Sequence, residues 1–332
     1  MRVIIRSVRS DTEGVASTVG TIMALLVFLT FLSLIVNQYV PAWMKDSESS
    51  HMNAVIGQFG SLKGNIDLQI LAAGTAQIYN VHYIPYTSAN PVVLGVDGVP
   101  IFAAATRGRI SASPDPGLFT VTFDYLIQGV RTRVTDSSSG SIELEVGNRY
   151  YVPQRVAYEN GAVIRYQTDG QVVRALPTFA VGSLNNSLDV SFGLVSLYGT
   201  GGVTATTTEV VNTQVFAYDR QDYVNFPSNA VVWINHTSRY GLAWYRFMNE
   251  TLSDALHLGG TYTWTSLDQT FVAKIGATTA YIISASYNPS TQLYNLRFEL
   301  RNNPGVLVLA AFRLAHTQVQ VKIGEATQNA QL

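Results

Sequence analysis

The side chains that most often perform chemistry are few in this sequence, and they are not grouped. Cysteine is absent, so the chain has no thiolate for nucleophilic catalysis, for a disulfide or for a metal site. No two histidines have the His-x-x-x-His spacing that places both imidazoles on one helical face for zinc. The histidines are His51, His82, His236, His257 and His316. We predict no catalytic residue, no metal site and no cofactor, and hence a protein that is not an enzyme.

Two other patterns could carry chemistry, and each has a simpler structural interpretation. The segment Gly199-Thr200-Gly201-Gly202 is rich in glycine, but predicted strands flank it, whereas a phosphate-binding loop leads from a strand into a helix. Glu143 and Glu145 would share one face of a strand, which is common on a solvated sheet. Both patterns therefore indicate surface β-structure.

The composition excludes further classes of protein. Of 332 residues, 47% are apolar and only 13% are charged. Intrinsic disorder needs low hydrophobicity and high net charge, so this chain is predicted to fold. With 21 basic and 22 acidic side chains the net charge is −1, which provides no electrostatic footprint for a nucleic acid. We expect no nucleic-acid partner.

One segment near the N-terminus is long and apolar enough to cross a membrane. No charged residue occurs between Gly14 and Met44, and residues 15–40 exceed the roughly 20 that a helix needs to span a bilayer. A buried core helix would normally show a polar face. The apolar part of a cleaved secretory signal, the other alternative, is usually shorter, about 7–15 residues. We therefore predict a retained transmembrane helix over residues 15–40.

The flanking charges predict how this helix is oriented. Arg2, Arg6 and Arg9 precede it, whereas the basic residue that follows closely is Lys45. Positively charged flanks stay on the cytoplasmic side of a membrane. The N-terminus is therefore expected in the cytoplasm, and residues 45–332 are expected outside the cell.

Small residues recur on one face of the predicted membrane helix. Ala16, Gly20 and Ala24 are spaced four residues apart, so they form a stripe that lets a second helix approach closely. Small residues are also common in membrane helices that have no partner. We predict that this stripe packs against the same helix of another copy.

The helix is predicted to continue beyond the membrane as a stalk over residues 41–76. Pro41 should kink it or interrupt it briefly, and Gly74 is the predicted C-cap. Between them, apolar residues recur at helical spacing and mark one face for burial against the remainder of the protein. These residues are Met52, Val55, Ile56, Phe59, Leu62, Ile66 and Ile70.

Beyond the stalk, short alternating apolar runs separated by turn signals predict an all-β head. The predicted fold class is membrane-anchored α+β, with a long N-terminal helix followed by a mostly antiparallel β-sandwich head. The head is either one sandwich or two lobes, over residues 77–184 and 185–324, with one short helix near 238–256. Residues 325–332 are predicted to be a flexible tail.

The start of the apolar segment carries a family resemblance. Glu13-Gly14 precedes the uncharged run Val15-Ala16-Ser17-Thr18-Val19-Gly20-Thr21-Ile22-Met23. Together with a β-rich head, this run resembles archaeal type IV pilin-like proteins, which have a class III signal-like leader and an uncharged helix. The resemblance covers about residues 1–73. It implies a leader over residues 1–14 that a prepilin-type peptidase removes between Gly14 and Val15.

Two functions follow from these predictions. The first, implied by the resemblance, is a structural subunit or minor component of an extracellular type IV pilus-like filament on an archaeal cell surface. It would self-associate through the N-terminal helix and would need the peptidase and an assembly machinery as partners. The alternative is a single-span β ectodomain that acts as a monomeric adhesin or binds surface glycans.

Three Asn-x-Ser/Thr sequons would lie on the extracellular side, where N-linked glycans are added. They predict N-glycosylation at Asn185, Asn235 and Asn249.

Overall fold

The computed structural model describes residues 11–324, and the predicted tail at 325–332 lies outside the described residues. The chain begins with a long apolar helix in two parts, α1 (Asp11–Leu34) and α2 (Val40–Ile78), joined by the π-helical turn Ile35–Tyr39. A strand-rich head follows, and it also contains one helix, α3 (Gly241–Leu256), in the region where a helix is expected. The coarse prediction of a long N-terminal helix followed by a β-rich head is confirmed.

The π-helical turn ends two residues before Pro41. Proline has no amide hydrogen, and its ring clashes with the carbonyl group four residues earlier, so an α-helix cannot pass through it unchanged. The backbone N–H of Val40 instead bonds to the Ile35 carbonyl, five residues back. The interruption expected at Pro41 therefore takes the form of one wide turn.

The prediction that Gly74 ends the helix is wrong. The helix continues to Ile78 and is capped by Tyr79. A Cβ atom at Gly74 would lie 3.3 Å from the Tyr218 ring. Gly74 therefore serves a close approach between α2 and the head and does not end the helix.

The head is built from strands of five to seventeen residues. In chain order they are β1 (Ser88–Val93), β2 (Gly108–Ser113), β3 (Leu118–Ile127), β4 (Val130–Ser138), β5 (Ser141–Val146), β6 (Gln154–Glu159), β7 (Ala162–Gln167), β8 (Gly170–Ala175), β9 (Phe179–Leu184), β10 (Ser187–Tyr198), β11 (Gly201–Ala205), β12 (Thr208–Val224), β13 (Val231–Ser238), β14 (Gly260–Trp264), β15 (Asp268–Ile275), β16 (Thr278–Asn288), β17 (Leu293–Arg301) and β18 (Val308–Ile323).

These strands form three sheets. The first has the order β1-β12-β18-β10-β9, the second β11-β2-β5-β6-β7-β8, and the third β14-β15-β16-β17-β13-β3-β4. Pairing is antiparallel except between β10 and β18, where Ser187 pairs with Val308 in a parallel register. Each sheet combines strands from both sides of the lobe boundary predicted near residue 185. That boundary therefore does not separate two sheet systems.

Two apolar clusters fill the space between these elements. One surrounds α3 and contains Trp244, Phe119 and Phe298. The other joins α2 to the head, because Met52, Val55, Phe59, Leu62 and Ile66 are all buried in it. Burial of each such side chain contributes about 1.5–3 kcal/mol, so the apolar face of α2 attaches this helix firmly to the head.

Candidate functional site

The apolar surface of α1 has no protein partner among the described residues. From Ala16 to Tyr39 every side chain is exposed except the half-buried Leu32. Large side chains such as Met23 and Phe31 are 65% exposed. An apolar surface of this size is unfavourable in water. Exposed apolar surfaces of this kind mark sites of interaction with proteins or membranes.

This helix meets the length and composition expected of a membrane span. Three of its polar side chains bond to nearby backbone: the hydroxyls of Thr21 and Thr30 donate to the carbonyls of Ser17 and Leu26, at 2.6 and 2.8 Å. The Asn37 amide donates to the Ser33 carbonyl. The helix therefore leaves no hydroxyl or amide side chain at these positions that must find water.

The predicted packing stripe is part of this exposed surface. Ala16, Gly20 and Ala24 are all exposed, and a Cβ atom built at Gly20 would have no other atom within 4 Å. The structure thus leaves the stripe open to a second molecule. The predicted cleavage junction between Gly14 and Val15 lies within α1, in a part whose side chains are not described.

The second component of the site is the junction that fixes α2 to the head. Glu48 is completely buried, and its carboxylate accepts four hydrogen bonds. Oε1 accepts from the Thr106 hydroxyl at 2.7 Å and from the Arg149 N–H at 3.0 Å. Oε2 accepts from the N–H groups of Tyr150 and Tyr151, at 2.9 and 2.7 Å. One carboxylate thus binds three consecutive backbone amides of the loop after β5.

These bonds determine the ionisation of Glu48. Burial alone would raise the pKa of the carboxyl group, because removal from water disfavours the charged form. The bonds from Arg149, Thr106, Tyr151 and Tyr150 outweigh that effect and hold the pKa of Glu48 below its ordinary value of 4.5. Glu48 is therefore an anion that holds the head loop on α2.

We expect acid to weaken this junction. A pKa that is lower in the folded state stabilises the fold above the unfolded-state value of 4.5, and this contribution is lost as the pH falls through the folded value. The parent should therefore be more stable than Glu48→Gln at neutral pH, and the difference should shrink as the pH falls below 4.5. Urea unfolding of both proteins across this range measures it. A difference independent of pH would contradict this account of Glu48.

Amide side chains fix the remainder of α2. Gln69 accepts from the Val215 N–H at 2.7 Å and donates to the Thr213 carbonyl at 3.4 Å. Gln77 accepts from the Arg220 N–H at 3.1 Å. These bonds satisfy backbone groups of β12 along its length. The head and α2 therefore form one body, from which α1 projects.

His51 is one helical turn from Glu48, and it also contributes to the junction. Its Nε2 lies 2.9 Å from the Val93 carbonyl. Burial lowers the pKa of His51 and outweighs the opposing effects of that carbonyl and of Glu48. Within residues 11–324 no group of three or more His, Asp or Glu side chains is arranged to bind a metal ion. Through their bonds to Val93 and to the loop after β5, His51 and Glu48 connect α2 to the head.

A second buried carboxylate lies in the core of the head. Glu159, at the end of β6, is fully buried, and it accepts hydrogen bonds from Trp244 Nε1 and from the Ser238 hydroxyl, both at 2.8 Å. His236 Nε2 lies 3.1 Å from Glu159 Oε1 but is not aligned as a hydrogen bond. The His236 ring stacks on Phe119, with 3.7 Å between centroids. This cluster joins β6, β13 and α3.

The three predicted glycosylation sites differ in accessibility. Asn185 is exposed in the turn between β9 and β10, and Asn235 is exposed on β13. Asn249 is only 6% exposed, and its amide bonds to the hydroxyls of both Tyr262 and Tyr281. The fold therefore contradicts an accessible sequon at Asn249, because local sequence does not reveal that α3 turns this residue inward.

One cleft on the head has the side chains of a polar binding site. It has a volume of about 330 Å³ and lies between the second and third sheets. Tyr166, Tyr287 and Tyr294 line it together with Arg155 and Arg239. Aromatic rings and planar charged groups of this kind can contact sugar rings and their hydroxyls.

Comparison with known proteins identifies no relative. No family model matches the chain, and neither a curated protein nor a solved structure is significantly similar to it.

Proposed function

We propose that this protein is a membrane-inserted surface protein that serves as a structural subunit of an extracellular filament. The observation that carries the proposal is the contrast between the two parts of the N-terminal helix. One face of α2 is buried against the head and bonded to it, whereas α1 from Ala16 onward is exposed apart from the half-buried Leu32. A filament subunit needs this division, since its helix must first lie in lipid and then pack on other helices.

The stripe of Ala16, Gly20 and Ala24 supports assembly over permanent anchoring. In lipid there is no hydrophobic driving force between helices, so association depends on close packing through small residues. The exposed backbone at Gly20 allows that approach. With the head outside the cell, assembly would place α1 helices at the centre and β heads around them.

The alternative is a monomeric surface protein on a permanent anchor that binds glycans. The cleft lined by Tyr166, Tyr287 and Tyr294 favours it. Under this alternative α1 stays in the bilayer.

The mature N-terminus distinguishes the two functions. If the protein is processed as a filament subunit, intact-mass analysis of the native protein should find a chain that starts at Val15. A bulky residue at the junction should block the peptidase, so we expect Gly14→Trp to accumulate with residues 1–14 attached. A parent chain that retains residues 1–14 would contradict the filament proposal and favour the anchored monomer.

A chain shortened to begin at Asp46 should be soluble and rich in β-structure, because the continuous exposed apolar surface of the predicted membrane helix lies before that point. This truncation removes the buried residues Val40 and Met44 but leaves Glu48 and the stripe from Met52 to Ile66. Circular dichroism checks the outcome. A spectrum dominated by helix would contradict a β-rich head. Aggregation comparable with the full chain would show that solubility is not limited by α1 alone.

A further inference from the structure

Strand β1 and helix α2 lie side by side and run in opposite directions. Asn65 donates to the Asn90 side chain at 2.6 Å, and Gln58 accepts from the Val93 N–H at 3.0 Å. From Asn65 back to Gln58 is seven residues of helix, and from Asn90 to Val93 is three residues of strand. Both steps cover about 10 Å. The chain therefore descends along α2, toward Val40, as it passes from Asn90 to Val93.

The chain then reaches the level of Glu48. The backbones of Val96 and Thr106 exchange hydrogen bonds of 3.0 and 2.8 Å, and the Thr106 hydroxyl donates to Glu48. Residues 97–105 therefore form a loop that starts and ends beside Glu48. Glu48 is eight residues, or about 12 Å, beyond Val40, where the apolar span ends.

The tip of this loop presents apolar side chains. The N–H groups of Phe102 and Ala103 both donate to the Val99 carbonyl, which closes a tight turn. Ile101 in this turn is 100% exposed, and Phe102 is also exposed. Ile101 has a φ of 72°, which is unfavourable for a β-branched residue and is typical of functional positions.

Two arginines lie beside the loop. A cleft of about 820 Å³ between residues 104–107 and 204–207 is lined by Arg107 and Arg149. Arg149 belongs to the loop that binds Glu48, so the cleft lies at the same level. Within residues 11–324 neither guanidinium forms an ion pair. Guanidinium groups match the geometry of phosphate oxygens.

The geometry points to a second membrane contact, in which Ile101 and Phe102 enter the interfacial layer of the bilayer and Arg107 and Arg149 bind lipid phosphates. Three extended residues, from Val96 to Val99 where the turn begins, span about 10 Å, comparable with the 12 Å from Glu48 to Val40. Asp46 and Asp97 lie in the same region, so this face carries no general positive charge. The contact therefore depends on the apolar side chains at the loop tip and on the two arginines. This inference rests on the proposed membrane insertion of α1.

The absence of cysteine allows a direct test. Three full-length variants, Ile101→Cys, Val27→Cys and Ala72→Cys, are each labelled with a nitrobenzoxadiazole fluorophore and placed in phosphatidylcholine–phosphatidylglycerol vesicles. Spin-labelled lipids then quench probes near the bilayer. Quenching of the probe at position 27 shows whether α1 has entered the bilayer. Ala72 is the exposed control on α2, about 48 Å beyond Val40.

With interfacial burial of about 5–10 Å, the probe at position 101 should be quenched at least about twofold more than the probe at position 72. If position 27 is quenched but position 101 behaves like position 72, the second contact is overturned while membrane insertion stands. If position 27 is not quenched, both the proposed insertion and this inference fail.

The phosphate contacts are tested in the same background. Combining Ile101→Cys with Arg107→Ser and Arg149→Ser should lower the quenching at position 101 toward that at position 72. Unchanged quenching would overturn the role of the arginines. Because both side chains are exposed, these substitutions should leave the unfolding transition unchanged.

Discussion

In Glu159→Ala we expect the free energy of unfolding of the head to fall by about 3–5 kcal/mol, a large part of the stability of an ordinary domain. The substitution leaves the Trp244 indole N–H and the Ser238 hydroxyl without their acceptor in a site closed to water. It also removes the carboxylate beside His236. Urea unfolding of the full chain in detergent, followed by circular dichroism, measures the loss.

A matched control distinguishes burial from charge. Glu145→Ala removes a carboxylate whose side chain is 57% exposed and which pairs with Arg155 at 2.8 Å. Exposed ion pairs contribute about 0–1 kcal/mol, so this variant should unfold almost like the parent. Equal destabilisation by the two substitutions would contradict the assigned role of Glu159. Glu159→Gln retains one acceptor and should fall between them.

The second large effect is expected in Gly20→Leu. A Cβ at Gly20 meets no atom of its own chain, so the larger side chain should leave the fold of the monomer unchanged. Leucine is also at least as favourable as glycine in a bilayer, so insertion should be normal. In an assembled core, the side chain would lie where Ala16, Gly20 and Ala24 allow the closest approach. We expect normal membrane levels and a loss of filaments or oligomers.

Thr18→Leu is the matched control for this effect. It adds bulk to the same helix, about 200° away from Gly20 around the axis. Cross-linking and electron microscopy should show assembly in Thr18→Leu and none in Gly20→Leu. If Gly20→Leu assembles like the parent, the packing stripe is not an interface. If cross-linking finds only monomers in all three proteins, the anchored monomer becomes the better account.

The sequence predicted the helical part of the fold well because that part depends on local spacing. The charge-free run over residues 15–40 and the apolar period from Met52 to Ile66 are visible without tertiary information. Pro41 also predicted the interruption before α2, because its missing N–H removes a backbone hydrogen bond within one helical turn. The prediction for Gly74 was wrong because this glycine allows a close approach to Tyr218, which is distant in sequence, and does not cap the helix.

Strand patterns located β-structure but not the partners of each strand. Hairpins join neighbours and can be read from turns, whereas β13 lies between β3 and β17, and β10 pairs with β18. No local signal specifies such pairings, because alternation defines which face is buried and not which strand lies beside it. The two-lobe division failed to describe the sheets for this reason.

The polar side chains of the junction could not be identified from residue type alone. Glu48 and Gln69 occur on the buried face of α2, where a sequence pattern predicts apolar residues. One signal was present: both lie on the helical period of Met52, Val55 and Phe59. A polar residue on an apolar stripe must have a buried partner. That rule would have predicted that Glu48 and Gln69 bond to the head. It would not have identified the backbone groups to which they bond.

Electron microscopy of material sheared from the surface of cells that express the parent protein, labelled with an antibody to the β head, tests the central claim most directly. If α1 forms the core of a filament, the label should decorate filaments along their length, because each subunit places its head outside the helical core. Label confined to membrane fragments, with no decorated filament in the sheared fraction, would contradict the filament proposal.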